Sequence, residues 1–448
     1  MWVGRRCGSG VSPDIIPEFR CLFTELIISD MKWLKKLGVT REALAWAFYD
    51  WANSAYATVV IAAVLPAYYA SYVASELPRH MRTAYWGYTN FIATALIAIV
   101  APIIGGISDR SASRKRFWIG FAFLGIVATA LMYLIDKGDY VMASTLFIVS
   151  MFGFGAANVF YDSFLLQVST PETSDFVSNL GFALGYVGGG LLLAFELFMI
   201  KKPAMFGLRN SVQAIKIGFV LVAVWWLVFS LPSWLILKEE KEEHHVSIRE
   251  AAIDGIANFV RIFQEVVKIK NVLIFLIAYW LYNDGISTII KMSVVYGSEI
   301  GIGKNDLILA ILLVQFVAAP FAILFGVITR YISTKKALFI TLGVYSLITV
   351  FAYFMKNARD FLILAFMVAT VQGGAQALSR SLFSRLIPRE KRAEFFGFFS
   401  LSGKFASIIG PLLVAVVTQL TGTGRNGILI LLVLFIAGGI TLGFVKES

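Results

Sequence analysis

The chain has 448 residues, 58% of them hydrophobic and 15% charged, with a formal charge of +11 at pH 7. That balance leaves too little polar surface for a soluble protein. It also excludes a nucleic-acid binder, because the basic residues are scattered between apolar runs and no patch joins clustered charge to a reading motif.

Twelve runs of about 18 or more apolar residues read as membrane-spanning helices. They cover 43–72, 84–107, 117–135, 140–168, 174–200, 214–237, 272–296, 307–328, 337–355, 361–387, 395–420 and 428–445. They do not alternate in short segments as barrel strands do. The expected fold class is an all-α polytopic membrane protein with 12 transmembrane helices. Both cysteines, Cys7 and Cys21, precede the first run, so neither a disulfide framework nor a metal site is expected. Met31-Lys-Trp-Leu-Lys-Lys then forms a basic amphipathic lead, and the thirty residues before it lack a signal peptide's apolar core. Met31 reads as the start, and 1–41 as an N-terminal extension.

In the first span Trp46, Asp50, Asn53 and Ala57 share one face, flanked by Tyr49 and Tyr56. An ionised carboxylate at the bilayer centre costs about 2.5–3.5 kcal/mol on insertion scales, so such groups mark a path or a site. After the second span, G105-G-I-S-D109-R110-S-A-S-R114-K-R reads as a charged loop. Its counterpart runs from Gly326 to Arg330 and Lys336. Gly105, Asp109, Arg110, Arg114, Gly326 and Arg330 are expected to form a conformational latch. The fourth span contributes Asn158 and Asp162. In the fifth, Gly181, Gly185, Gly188, Gly189 and Gly190 permit close helix approach, expected against the other half of the molecule.

The one long polar stretch, 238–271, opens with K238-E-E-K-E-E-H-H245. Ser247 with Glu250 makes a capping box. Ile248, Ala252, Ile256, Phe259, Phe263 and Val266 follow on one face. An amphipathic helix on the membrane surface is expected here, joining two halves. The seventh span places Asp284, Ser287 and Lys291 on one face with Asn283 beside it; Asp284 and Lys291 are two turns apart, long for direct contact. Gln315 lies in the eighth span, and Gln372, Gln376 and Arg380 in the tenth. Asp162 and Arg380 sit at similar depths and are expected to pair when one mouth closes. Lys404, in the eleventh, is expected to join the charged-loop latch.

The chain also repeats. W51-A-N53-S-A-Y-A-T58 aligns with L281-Y-N283-D-G-I-S-T288. Asn53 and Asn283, Gly105 and Gly326, Pro171 and Pro388, and Gly185 and Gly403 recur at near-constant offsets. Two pseudo-symmetric six-helix bundles, 42–237 and 272–448, are expected around a midplane site. Loops on the side of the chain ends carry twice as many Lys and Arg as the others, which places both termini in the cytoplasm.

These residues resemble the major facilitator superfamily. Gly105, Asp109, Arg110 and Arg114 match its G-x-x-x-D-R-x-G-R-K/R signature, with Ala112 and Ser113 in place of the usual Gly and Arg. F48-Y-D-W-A-N-S-A-Y-A-T58, W225-W-L-V-F-S-L-P232, Y282-N-D-G285 and Q372-G-G-A-Q-A-L-S-R-S-L382 are similar to its vacuole-effluxer-like branch, over residues 42–445. The resemblance implies the major facilitator fold and transport of a small solute by alternating access. It also implies a cavity lined by the first, fourth, seventh and tenth spans, and amino-acid efflux as in the fungal member. The substrate and proton pathway is then expected at Tyr49, Asp50, Asn53, Tyr56, Asn158, Asp162, Asn283, Asp284, Lys291, Gln315, Gln372, Gln376 and Arg380. Asp50 and Asp284 are the candidate carriers of a coupling proton.

Other classes fit less well. Residues 297–305 lack the Ser/Thr and the strand of a phosphate-cradling loop. Tyr49-Asp50 and Tyr161-Asp162 are like half of an intramembrane aspartyl protease motif, but the companion G-x-G-D is missing. His80, His244 and His245 fall in loops. The expectation is no enzyme, no cofactor, no metal, and a monomer in the cell's inner membrane. A transporter-like sensor is the alternative, and it would bind solute without counterflow.

Overall fold

The computed structural model describes residues 39–110, 114–170, 173–238, 248–328, 331–388 and 392–446, and all regular structure in them is helical. In chain order the helices are α1 (Arg41–Val73), α2 (Arg79–Arg110), α3 (Arg114–Leu134), α4 (Tyr140–Ser163), α5 (Ser174–Lys201) and α6 (Ser211–Ile236). Then come α7 (Ile248–Lys268), α8 (Lys270–Glu299), α9 (Lys304–Ile328), α10 (Thr334–Phe354) and α11 (Ala358–Leu386). The series closes with α12 (Arg392–Phe405 and Ile409–Thr421) and α13 (Gly424–Leu429 and Leu431–Gly443). Eleven of the described helices are long and apolar enough to cross a membrane; α9, with 25 residues, packs among them against α11 and α5.

Hydrocarbon offers a backbone no partners, so each span must satisfy its own N–H and C=O groups as a helix. Side chains finish several starts. The Thr40 hydroxyl accepts from the Ala43 N–H at 3.0 Å, and Asn210 and Asn357 accept from Gln213 and Asp360 N–H at 2.9 and 3.1 Å.

α1 is the most enclosed span, lying against α5 and α6, while α3 packs on α4 and α6, and α2 on α4. A second group is built from α9 on α11, α8 on α13, and α10 on both α11 and α13. The groups meet along two seams, α2 with α8 and α12, and α5 with α9. One end of the molecule, the terminal end, holds the first and last described residues, Val39 and Lys446, together with α7; the opposite one is the far end. At the terminal end Asn271 exchanges two hydrogen bonds with the Lys446 backbone, at 2.7 and 2.8 Å.

Four features depart from expectation. Gly181, Gly185, Gly188 and Gly189 pack on α1 within their own group, where a Cβ on Gly188 would stand 2.7 Å from the Trp51 carbonyl oxygen. Their spacing of four, seven and eight residues puts them on one face; only Gly190, a third of a turn further, looks across the seam at Gln315 and Phe316. Second, α2 stays helical to Arg110, so Gly105 belongs to the helix and faces Leu401. Third, α1 winds as π-helix over Ala57–Ala63 and Tyr69–Val73, on either side of Pro66, which has no N–H to give the preceding turn. Fourth, α12 is interrupted at 406–408. Residues 1–38, Ser247 and Arg330, the side chains of Asp109 and Arg110, and the surroundings of Gly326 lie outside what is described, and with them most of the expected latch.

Candidate functional site

The polar stripe of α1 is laid against α4. Trp46 Nε1 donates to the Tyr161 carbonyl oxygen at 2.9 Å, and the two rings stack at 4.4 Å. The Tyr161 hydroxyl donates to Asp50 Oδ2 at 3.0 Å, and Asn53 Nδ2 donates to Asn158 Oδ1 at 2.9 Å. Tyr56 shares a 2.8 Å bond with the Ser150 hydroxyl. The Tyr49 ring lies 4.8 Å from Trp118 and 4.7 Å from Tyr161. Asn53, Asn158 and Tyr56 therefore hold α1 to α4, at about 0.6–2 kcal/mol per contact. Asp50 differs, since Tyr161 occupies one of its two oxygens and the residue is only half-buried.

Around Asp50 a charged group assembles. Asp50 lies within electrostatic reach of Asp162 on α4 and Arg380 on α11, and Asp162 within reach of Arg380 and of Lys404 on α12. Two carboxylates of the first helix group thus face two cations of the second. Among the described residues no oxygen of Asp50 or Asp162 comes within ion-pair distance, 4 Å, of either cation. Asp162, Gln376 and Arg380 are exposed, though each lies inside a long apolar helix. The Arg380 guanidinium sits 5.2 Å from the Phe182 ring on α5, and Lys404 Nζ donates to the Gly155 carbonyl oxygen on α4 at 3.1 Å. Lys404 was expected with the charged loop. Twelve residues of helix from Arg392 carry it about 18 Å inward instead, into contact with α4.

Asn283 and Asp284 do something else. The interruption of α12 leaves backbone groups unpaired inside the membrane. Asp284 Oδ2 accepts from the Gly410 N–H at 2.8 Å, and Asn283 Nδ2 donates to the Ala406 carbonyl oxygen at 3.2 Å. The pair therefore joins the broken ends of α12. Asp284 Oδ1 is buried without a hydrogen-bond partner among the described residues. Lys291 lies within electrostatic reach of Asp284 but outside ion-pair distance; its Nζ donates to Thr94 Oγ1 on α2 at 3.0 Å, and Trp86 Nε1 donates to the Lys291 carbonyl oxygen at 3.1 Å. Gln315 Nε2 donates to Thr58 Oγ1 in the π-helical turn at 3.2 Å. With Gln372, Ala62 and Ser293 it lines a small, largely apolar cavity. The expected pathway residues thus fall into four places: the α1–α4 joint with Tyr49, Asn53, Tyr56 and Asn158, the charged group, the α12 break with Lys291, and this cavity.

The far end is closed by residues the sequence reading missed. Thr83 bonds Glu299 and Tyr88 bonds Gln419, both across the seam. Glu299 also accepts from the Gly424 N–H at 2.7 Å. A Cβ on Gly87 would lie 2.8 Å from the Pro411 carbonyl oxygen. The available signal was the spacing of Thr83, Gly87, Asn90 and Thr94, a small and polar stripe on α2. Glu196 was also passed over; it is fully buried in α5 beside Gly218, and neither oxygen has a partner among the described residues.

This arrangement, closed at one end and polar between two helix groups, has known counterparts. The D-xylose-proton symporter superposes with a TM-score of 0.64 at 16% identity, over 90% of this chain and 98% of that one. The nucleoside transporter NupG does so at 0.63 and 13%, with the same coverage. At that identity the likeness establishes the major facilitator fold. In sequence, the uncharacterized MFS-type transporter YxiO of Bacillus subtilis (strain 168) is 39% identical over 414 residues, 91% of this chain and 96% of its own. Autophagy-related protein 22 of Yarrowia lipolytica is 25% identical over 439 residues, covering 78% and 73%. The model of the vacuole effluxer Atg22-like family matches residues 39–168 and 167–448. With that match running nearly end to end, the chain belongs to the vacuole effluxer Atg22-like family, a branch of the major facilitator transporters.

Proposed function

We propose that this membrane transporter is secondary-active and moves a small polar solute by alternating access, binding it between Asp50, Asp162, Arg380 and Lys404. The supporting observation is the unpaired confrontation of two carboxylates and two cations across the seam, with Asp162 and Arg380 open to solvent. Opposite charges that face one another in a protein interior without forming an ion pair attract a ligand that supplies the missing partners. A solute carrying both an ammonium and a carboxylate meets both sides of the gap. Amino acids have that form, and the resemblance to the fungal effluxer favours them and the outward direction.

The excess of basic residues in the loops at the terminal end supports cytoplasmic termini. The host is then the cell's inner membrane, and the protein works as a monomer. The two bundles, 42–237 and 272–448, rock about the seams. Asp50 or Asp162 takes up the coupling proton when the solute leaves.

The test uses purified protein and a panel of amino acids, peptides and sugars. A binder at 100 times its dissociation constant stabilises the fold by about 2.7 kcal/mol, read as a thermal shift. The solute so found should show counterflow in proteoliposomes. Asp162→Asn and Arg380→Gln should each lower its affinity at least about tenfold, a loss of about 1.4 kcal/mol. Unchanged affinity in both variants contradicts the assignment of the site. Binding without counterflow contradicts transport and leaves a sensor.

A further inference from the structure

α7 has three faces, and they make three different demands. The first meets protein. Gly255 approaches α2 so closely that a Cβ would stand 2.7 Å from the Pro102 carbonyl oxygen and 2.8 Å from the Gly106 nitrogen. One turn on, the Phe259 ring lies 5.1 Å from Phe398 and 5.9 Å from Phe405, both on α12. Ile262 and Val266 are buried on the same side. The helix thus lies along the seam where α2 meets α12 and touches both helix groups.

The second face carries Glu250, Asp254, Arg261, Glu265 and Lys268 and suits water. The third is apolar and bare. Ile253, Ile256, Val260, Phe263 and Val267 are 40–55% exposed, and at 3.6 residues per turn they fall within an arc about 80° wide. That arc lies between the protein face and the charged face, which is where the surface of a bilayer would meet a helix lying on it.

The surroundings select the occupant. Gly255 fixes α7 against α2 one to two turns inside that helix's terminal end. Just beyond the contact, α2 exposes Ile99, Leu96 and Ile92 from a membrane-crossing segment. The Gly255 contact thus seats α7 on a helix whose neighbouring exposed residues are those of a membrane-crossing segment. α7 holds three acidic and three basic residues, so it has no net charge with which to draw a charged protein or to select anionic headgroups.

We infer that α7 is a strap bedded in the leaflet at the terminal end: its apolar stripe enters the boundary between headgroups and acyl chains while its flank binds α2 to α12. Attachment of such a helix scales with the apolar area it buries. Any movement of one helix group against the other at this end must then carry α7 along the leaflet. The bilayer becomes part of the energy of opening.

The test is nitroxide accessibility in full-length protein carrying Cys7→Ser and Cys21→Ser. Single labels go on the stripe through Ile256→Cys, Val260→Cys or Val267→Cys, and on the charged side through Gln264→Cys or Lys268→Cys. The vesicles are phosphatidylcholine alone, or phosphatidylcholine with phosphatidylglycerol. Stripe labels should collide with oxygen several-fold more than with a water-soluble nickel chelate, equally in both vesicles, and the charged-side labels should show the reverse. Stripe labels open to the nickel chelate, or closed to both reagents as beneath a protein partner, overturn the inference. Gly255→Leu should free the label at 260 and lower its oxygen preference. Where that variant fails to fold, Phe259→Ala removes the α12 contacts without added bulk and should do the same. An unmoved label after a folded Gly255→Leu or Phe259→Ala overturns the strap.

Discussion

Asp50 and Asp284 carry the same chemistry inside the membrane and are held in different ways. Asp284 accepts a backbone N–H at the start of the second segment of α12. Asp50 accepts a tyrosine hydroxyl beside a gap lined by opposite charge. The sequence made both visible, because a carboxylate in an apolar run stands out. It could not separate them, because the difference lies in α12, more than a hundred residues beyond Asp284. Asp284→Ala should leave the Gly410 N–H without its partner and cost about 1–3 kcal/mol. Melting in detergent measures this, and an unchanged melting temperature would refute the joining role. At the far end Asp136, in the loop after α3, behaves as an ordinary surface acid. Its hydrogen bonds from Lys216 and Tyr72 hold its carboxyl down at about 2. The stability it adds is therefore full above the ordinary carboxylate range near 4 and is lost as pH falls toward 2. The group is largely exposed, so Asp136→Asn should cost less than about 1 kcal/mol at pH 7. The melting-temperature difference between the two proteins should close as pH approaches 2; a constant difference would contradict the assignment.

Among elements, the spans were legible in the sequence and their interruptions were not. Apolar length and turn residues mark a crossing helix, and the capping signals at Thr40, Asn210 and Asn357 agree with where helices begin. The π-helical turns of α1 and the break in α12 leave no comparable mark, because both depend on which side chains from other helices arrive to satisfy freed backbone groups. The glycines of α5 were recognised as a close-packing face, but periodicity gives the face and not the neighbour. That neighbour is α1, carrier of Asp50. Gly188→Leu should therefore drive its side chain into Trp51 and cost about 1–3 kcal/mol. Gly343→Leu, where a Cβ meets nothing within 4 Å, is the control. Equal destabilisation by both would refute the α1–α5 packing as described.

At the scale of the whole molecule, two helix groups touch along seams that differ between the ends. The far end is tied by Thr83 to Glu299 and Tyr88 to Gln419, and Lys291 joins Thr94 nearer the middle of α2. Toward the terminal end, Asp162, Gln376 and Arg380 remain open. The internal repeat foretold a transporter built from two related parts, yet the residues that close the far end were not legible, since each is an ordinary polar residue until its partner across the seam is known. The expected latch near Asp109 and Arg110 lies outside the described side chains; the ties the structure does describe are at the opposite end. Alternating access requires those ties to open. With Thr83→Cys and Glu299→Cys in protein freed of Cys7 and Cys21, a disulfide should hold the far end shut. Flux of the solute selected by thermal shift should then fall to background on oxidation and return on reduction, with binding retained throughout. Undiminished flux through fully cross-linked protein would contradict alternating access across this seam.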